Sequence, residues 1–147
     1  MITAWSHLPN AKHIDRILSH FKSHTADWDA ARDENMDESR SAAWRVAKHV
    51  VEGVNIDAIW WAAHSALYDV TIRLGRAMTL TENWNPVWYH ARHAAWCTIL
   101  ALIAWDESAE YLNLSSKQVR IMALLGDNKA ILLLPAVLVF EKSKELV

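Results

Sequence analysis

Three side chains on one stretch of this sequence have the types and spacing of a metal site: His90, His93 and Cys97. At i, i+3 and i+7 they fall within an arc of about 60° on an ideal helix, so all three can face one ion. Imidazole and thiolate suit zinc, but a closed site also needs a fourth ligand or water and a supporting second shell. The nearest carboxylates, Asp106 and Glu110, project from another side of the same helix. The bland alternative, a polar seam against a neighbouring helix, is the expectation, and no cofactor is predicted. His13, His20 and His24 form another histidine stripe. Phe21 follows His20 where a helical zinc hydrolase carries Glu, so this stripe reads as a solvated helix flank.

Carboxylates cluster in the segment that includes Asp27, Asp29, Asp33, Glu34, Asp37 and Glu38. Read as a calcium loop, Asp27, Asp29, Asn35 and Glu38 fit four ligand positions, but Arg32 stands where glycine is needed and Ala31 replaces a ligand. The segment reads instead as an acidic surface suited to a basic partner, since complementary charge supplies steering and specificity. Asp106 and Glu110 at i, i+4 are spaced for acid–base work, but no nucleophile accompanies them. Pairing with Arg73, Arg76 or a lysine on another helix is the expected use. A helix-turn-helix reading of Leu112–Leu125 has only Lys117 and Arg120 to offer phosphates.

Aromatic side chains supply two further candidates. Trp61, Tyr68 and Ile72 form a stripe bordered by Asp57, Asp69 and Arg73, a pattern shared by a second packing face and a protein interface. Trp60, Trp61, His64 and His90 can instead line a pocket between two helices and stack on a planar ligand such as a nucleotide.

The elements that must position these residues are helices. Of 147 residues only three are Gly and three Pro, and abundant Ala, Leu, Lys, Glu and Arg are strong helix formers. Nine Trp must dominate a core or an interface, because each indole can bury on the order of 150–250 Å². Asn10 is placed to cap a first helix to about His24, with Ile14, Ile17, Leu18 and Phe21 on its buried face. From Ala42, the residues Ala43, Val46, Ala47, Val50 and Val51 share one side of a second long helix that Gly53 stops. Asn55 starts another, whose main face runs from Ile56 through Ile59, Trp60, Ala63, Leu67, Val70 and Leu74 to Met78. Asn85 and Pro86 open a helix extending to about Leu112. Its stretch Ala94–Trp105 is apolar on every side, as expected of a helix surrounded by others. Ser115 and Gln118 form a capping box, Gly126 ends the helix they start, and Asp127 caps a last one that Pro135 should kink or restart. The predicted fold is one all-α domain spanning residues 1–147, a compact bundle of about five to six helices around a central helix at about 86–112.

The phrases Ala42-Ala43-Trp44, Ala94-Ala95-Trp96, the run Ala101-Leu102-Ile103-Ala104-Trp105-Asp106-Glu107, then Leu124-Leu125-Gly126-Asp127 and Leu132-Leu133-Leu134-Pro135-Ala136 are similar to uncharacterised Ala/Trp-rich helical proteins of bacteriophage and bacterial genomes. The resemblance covers the last third of the chain best, and the first 40 residues depart from it by lacking the Ala/Trp phrases. It implies a phage-associated setting, in which host-directed binding proteins outnumber small enzymes, and it carries over no catalytic residue.

Fifteen basic and seventeen acidic residues give a net charge of −2, which supplies no basic field for nucleic acid or an anionic membrane. The longest apolar stretches fall well short of the roughly 20 residues that span a bilayer. The single cysteine excludes an intrachain disulfide, and the N-terminus lacks the pattern of a signal peptide, so a cytoplasmic location in a bacterial cell is expected. The resulting expectation is a non-enzymatic protein-binding module, a phage-encoded inhibitor or modulator of a host protein. Its predicted contacts are the acidic segment and the Trp61/Tyr68/Ile72 stripe. A small-ligand binder and a metal-binding protein are the alternatives. If the stripe is exposed, a two-fold homodimer is the default assembly.

Overall fold

A helix with no polar face has to be wrapped on all sides, and the stretch Ala94–Ile103 is wrapped: every residue in it is buried. A computed structural model describes residues 4–31, 36–51, 56–77 and 89–145. Within them the elements are α1 (Ala11–Ser23), α2 (Thr25–Ala30), α3 (Asp37–Val50), α4 (Ile56–Ala77) and α5 (Tyr89–Ala104). A 3-10 helix (Asp106–Asn113), α6 (Ser116–Leu124) and α7 (Asn128–Glu145) follow. The fold is all-α, with α5 at its centre, packed by α1, α2, α3, α4, α7 and the 3-10 helix.

The central helix is shorter than its apolar pattern suggests. Trp105 adopts an extended conformation (φ −131°, ψ 115°), and the chain re-enters as a 3-10 helix rather than continuing to Leu112. Ser108 holds the break, donating from Oγ to the carbonyls of Ala101 and Trp105 at 3.0 and 2.7 Å. In 3-10 geometry residues three apart eclipse, so Asp106 and Glu110 do not stack one turn above each other, and both are exposed. Glu107 is the acid that pairs, with Lys129 of α7; that hydrogen bond holds its carboxyl below the usual range.

Asn10 does not cap α1 with its side chain. Its amide instead donates to the carbonyls of Leu102, Trp105 and Asp106 at 2.9, 3.3 and 3.1 Å, satisfying orphan acceptors where α5 ends. The Ser115–Gln118 capping box forms as expected. Gly126, at φ +92°, closes α6 with its N–H on Ala123 and the next N–H, that of Asp127, on Met122, a Schellman arrangement that favours glycine. Asp127 Oδ1 then accepts from the N–H groups of Lys129 and Ala130. Helix α7 runs through Pro135 without restarting.

Two faces differ from the expected pattern. On α3 the buried line is Arg40, Ala43, Ala47 and Val51, whereas Val46 and Val50 are exposed. His20 is not a solvated flank residue: its Nδ1 accepts from Trp28 Nε1 at 3.0 Å and its Nε2 meets Ser143 Oγ at 2.8 Å. The polar end of α7 is likewise engaged. Glu141 caps the start of α6 by accepting from Ser116 N and Oγ at 2.8 and 2.9 Å, and Lys142 pairs with Asp27 at 2.8 Å. Gly53, Asn55, Met78, Asn85 and Pro86, named above as helix boundaries, lie outside the described residues.

Candidate functional site

Alanine lies at the contacts of the helices that build an open aromatic region. Ala43 on α3, Ala63 on α4 and Ala94 and Ala95 on α5 are all buried, and so small a side chain lets neighbouring backbones approach closely. Beside them stand Trp44, Trp60 and Trp96, one from each helix. The ring of Trp60 meets Trp96 edge-on with centroids 4.5 Å apart, and Trp44 at 6.4 Å, both within the favoured T-shaped range. His64 lies one turn further along α4, nearly parallel to Trp60 with centroids 6.1 Å apart, and Tyr68 continues the ladder at 6.3 Å. Arg92 lies over the Tyr68 ring and Lys48 over that of Trp44, at 5.2 and 5.1 Å from the centroids, both within cation–π range.

Two cavities flank Trp60 and share the Trp44 wall. The inner one, about 230 Å³, is lined by Trp44, Trp60, His64, Leu67, Arg92, His93 and Trp96. The outer one, about 330 Å³, has Lys48, Val51, Asp57, Trp61 and Leu100 around the same two tryptophans. Together they form an aromatic groove of the size and apolar lining that small-ligand sites use. The indole N–H groups of Trp44 and Trp96 are covered and have no acceptor, so the groove offers ring faces rather than these donors. An unpartnered buried donor costs about 1–3 kcal/mol, so these tryptophans are not the most stabilising filling for a core.

Trp60, Trp61 and His64 are brought together on the groove as the sequence suggests. His90 is not on its wall; His93, almost one helical turn later, is. Sequence reasoning missed Trp44, Trp96, Arg92 and Lys48. A signal for the first two was present, because the repeated Ala-Ala-Trp phrases at 42–44 and 94–96 supply the two indoles that meet Trp60.

The other candidates are distributed differently. Cys97 is fully buried, and burial pushes its thiol up to about 12. Its sulfur is 3.7 Å from His93 Nδ1. Among the described residues no three His, Cys, Asp or Glu side chains converge on a metal position. In the acidic segment, Asp27 is paired with Lys142 and Asp37 with the buried Arg40 at 2.9 Å. Asp29 is half-buried, with an oxygen that has no partner, and Glu38 is exposed. Asp33 and Glu34 lie outside the described residues.

Trp61 is 67% exposed and Tyr68 37%; Ile72 belongs to α4, but its side chain is outside the described set. A second exposed apolar line, Ile121, Leu124 and Leu125, ends α6. No protein-family model matches this chain, and no characterised protein or solved structure shows a significant match to it. The site therefore has to be read from its own chemistry. Among the described residues no helix is long and apolar enough to cross a membrane.

Proposed function

We propose that this chain is a non-enzymatic binding protein whose site is the groove between α3, α4 and α5, where a flat apolar group stacks among Trp44, Trp60 and Trp96. One observation carries the reading: Trp44, Trp60 and Trp96, from three helices, line a cavity of about 230 Å³, and Trp44, Trp60 and Trp61 line a second of about 330 Å³. A core built only for stability closes such space, because interiors pack to near-crystalline density. Stacking on an aromatic wall contributes about 1–3 kcal/mol per ring. Isothermal titration with the neutral flat arene 2-naphthamide tests the reading. Saturable binding that weakens about tenfold or more in Trp60→Ala is expected, and no heat of binding at millimolar arene would overturn it.

A second reading rests on the surface around the groove. Trp61, on the wall of one cavity, is large, apolar and exposed, and exposed tryptophans are favoured anchors of protein interfaces. On this reading the partner is a protein that inserts an aromatic side chain into the same groove, and the resemblance to phage proteins makes a host protein the partner class. The exposed acid Glu38 and the half-buried Asp29 would lie toward a basic rim. A photo-crosslinking side chain at position 61 tests it in bacterial cells: a discrete adduct lost on Trp60→Ala supports a protein partner, whereas a dimer-sized adduct points to a second copy of this chain.

A further inference from the structure

The charges on the groove are not symmetric, and their placement selects among flat ligands. The inner cavity carries Arg92, His64 and His93, with no carboxylate among its described lining residues. The outer cavity adds Lys48, and its one acid is Asp57. Arg92 and Lys48 are held over the rings of Tyr68 and Trp44, so each cation is tethered to a ring, and that of Trp44 is a wall of the groove. A guanidinium at this distance from a ring still carries planar N–H donors suited to an anion. Histidines beside it add ring N–H groups that can donate.

Building on the binding reading above, we infer that the groove takes a flat aromatic ring bearing an anionic group, the ring among Trp44, Trp60 and Trp96 and the anion toward Arg92, His64 and His93. Charge-assisted hydrogen bonds are shorter and stronger than neutral ones, and water is partly excluded between aromatic walls, so an anion gains there over its neutral isostere. A cationic isostere meets like charge at the same place and loses affinity.

Isothermal titration of the full chain with isosteric pairs tests this. The first set is 2-naphthoate, neutral 2-naphthamide and cationic 2-naphthamidine; the second is adenosine monophosphate against adenosine, which separates nucleotide phosphates from simple aromatic acids. At low salt the anion of at least one set is expected to bind about tenfold more tightly than its neutral counterpart, with the amidine weakest. In Arg92→Gln the anion-to-neutral affinity ratio falls toward one, and circular dichroism checks that the variant is folded. Neutral and anionic members binding alike in both sets would overturn the anion preference and leave the stacking site standing. A preference for the amidine would overturn it as well. If no member of either set binds, the stacking site itself fails.

Discussion

Trp28 and Trp60 occupy regions of opposite character. Trp28 sits between α1, α2 and α7, fully buried, with its N–H on His20 Nδ1 and its ring edge-on to Phe21 and Phe140 at 6.3 and 6.4 Å. The His20 ring passes the chain of bonds on to Ser143, whose Oγ donates to the Val139 carbonyl at 3.0 Å. Trp60 sits in a cluster of equal aromatic weight, yet open space lies on either side of it and two neighbouring indole N–H groups have no acceptor. The same residue type closes one region with its donor satisfied and leaves the other open. That contrast separates a tryptophan that holds the fold from those that face a ligand on the proposed reading.

Truncation should expose the contrast most strongly. Trp28→Ala is expected to lose about 3–5 kcal/mol of stability in chemical denaturation, the range for a large buried aromatic, whereas Trp60→Ala loses less than about 2 kcal/mol because its surroundings are already open. Equal losses would erase the distinction.

Acid should act on the first region. Burial is the main cause that lowers His20 to about 4, and the neighbouring charges of His24 and Arg16 add to it while Asp27 opposes. A histidine depressed from its ordinary 6.5 contributes its full stabilisation above pH 6.5 and loses it as pH falls toward 4, because the unfolded chain takes up the proton first. After allowance for solvent screening of a partly exposed ring, the loss is about 1 kcal/mol. Thermal melts between pH 7 and 4 should show a shallower decline in His20→Gln than in the parent, and identical curves would remove His20 from the account.

The smallest expected effect sharpens the second region. Trp96→Phe discards an N–H that bonds to nothing, a gain that offsets the packing lost with the smaller ring, so denaturation should show a change within about 1 kcal/mol. Trp28→Phe, which strands the Nδ1 acceptor of His20, should cost visibly more.

Much of the architecture was legible from local pattern. Ile14, Ile17 and Phe21 share the buried face of α1, α5 is apolar all round and central, and Ser115, Gln118 and Gly126 mark the ends of α6. What escaped was set by partners distant in sequence. Val46 and Val50 are more hydrophobic than Ala43 and Ala47, yet the alanines are buried, because close approach of helices rewards small side chains over greasy ones. His20 looked like a flank residue until Trp28 and Ser143 were brought to it. The groove was half visible: Trp60, Trp61 and His64 follow from one helix, but Trp44, Trp96 and the cations above the rings come from two others, and no periodicity within a helix reports what its neighbours contribute.

The Asn10 amide carries a consequence for how the chain is made. It ties the start of the first helix to carbonyls 92 to 96 residues later, so α1 cannot reach its final bonding until residues 102–106 exist. Synthesis delivers α1 before those residues, so part of the Ile14, Ile17 and Phe21 face stays uncovered until the central helix is added. A segment made early is thus locked late, and for that interval its greasy face is available to chaperones or to other nascent chains.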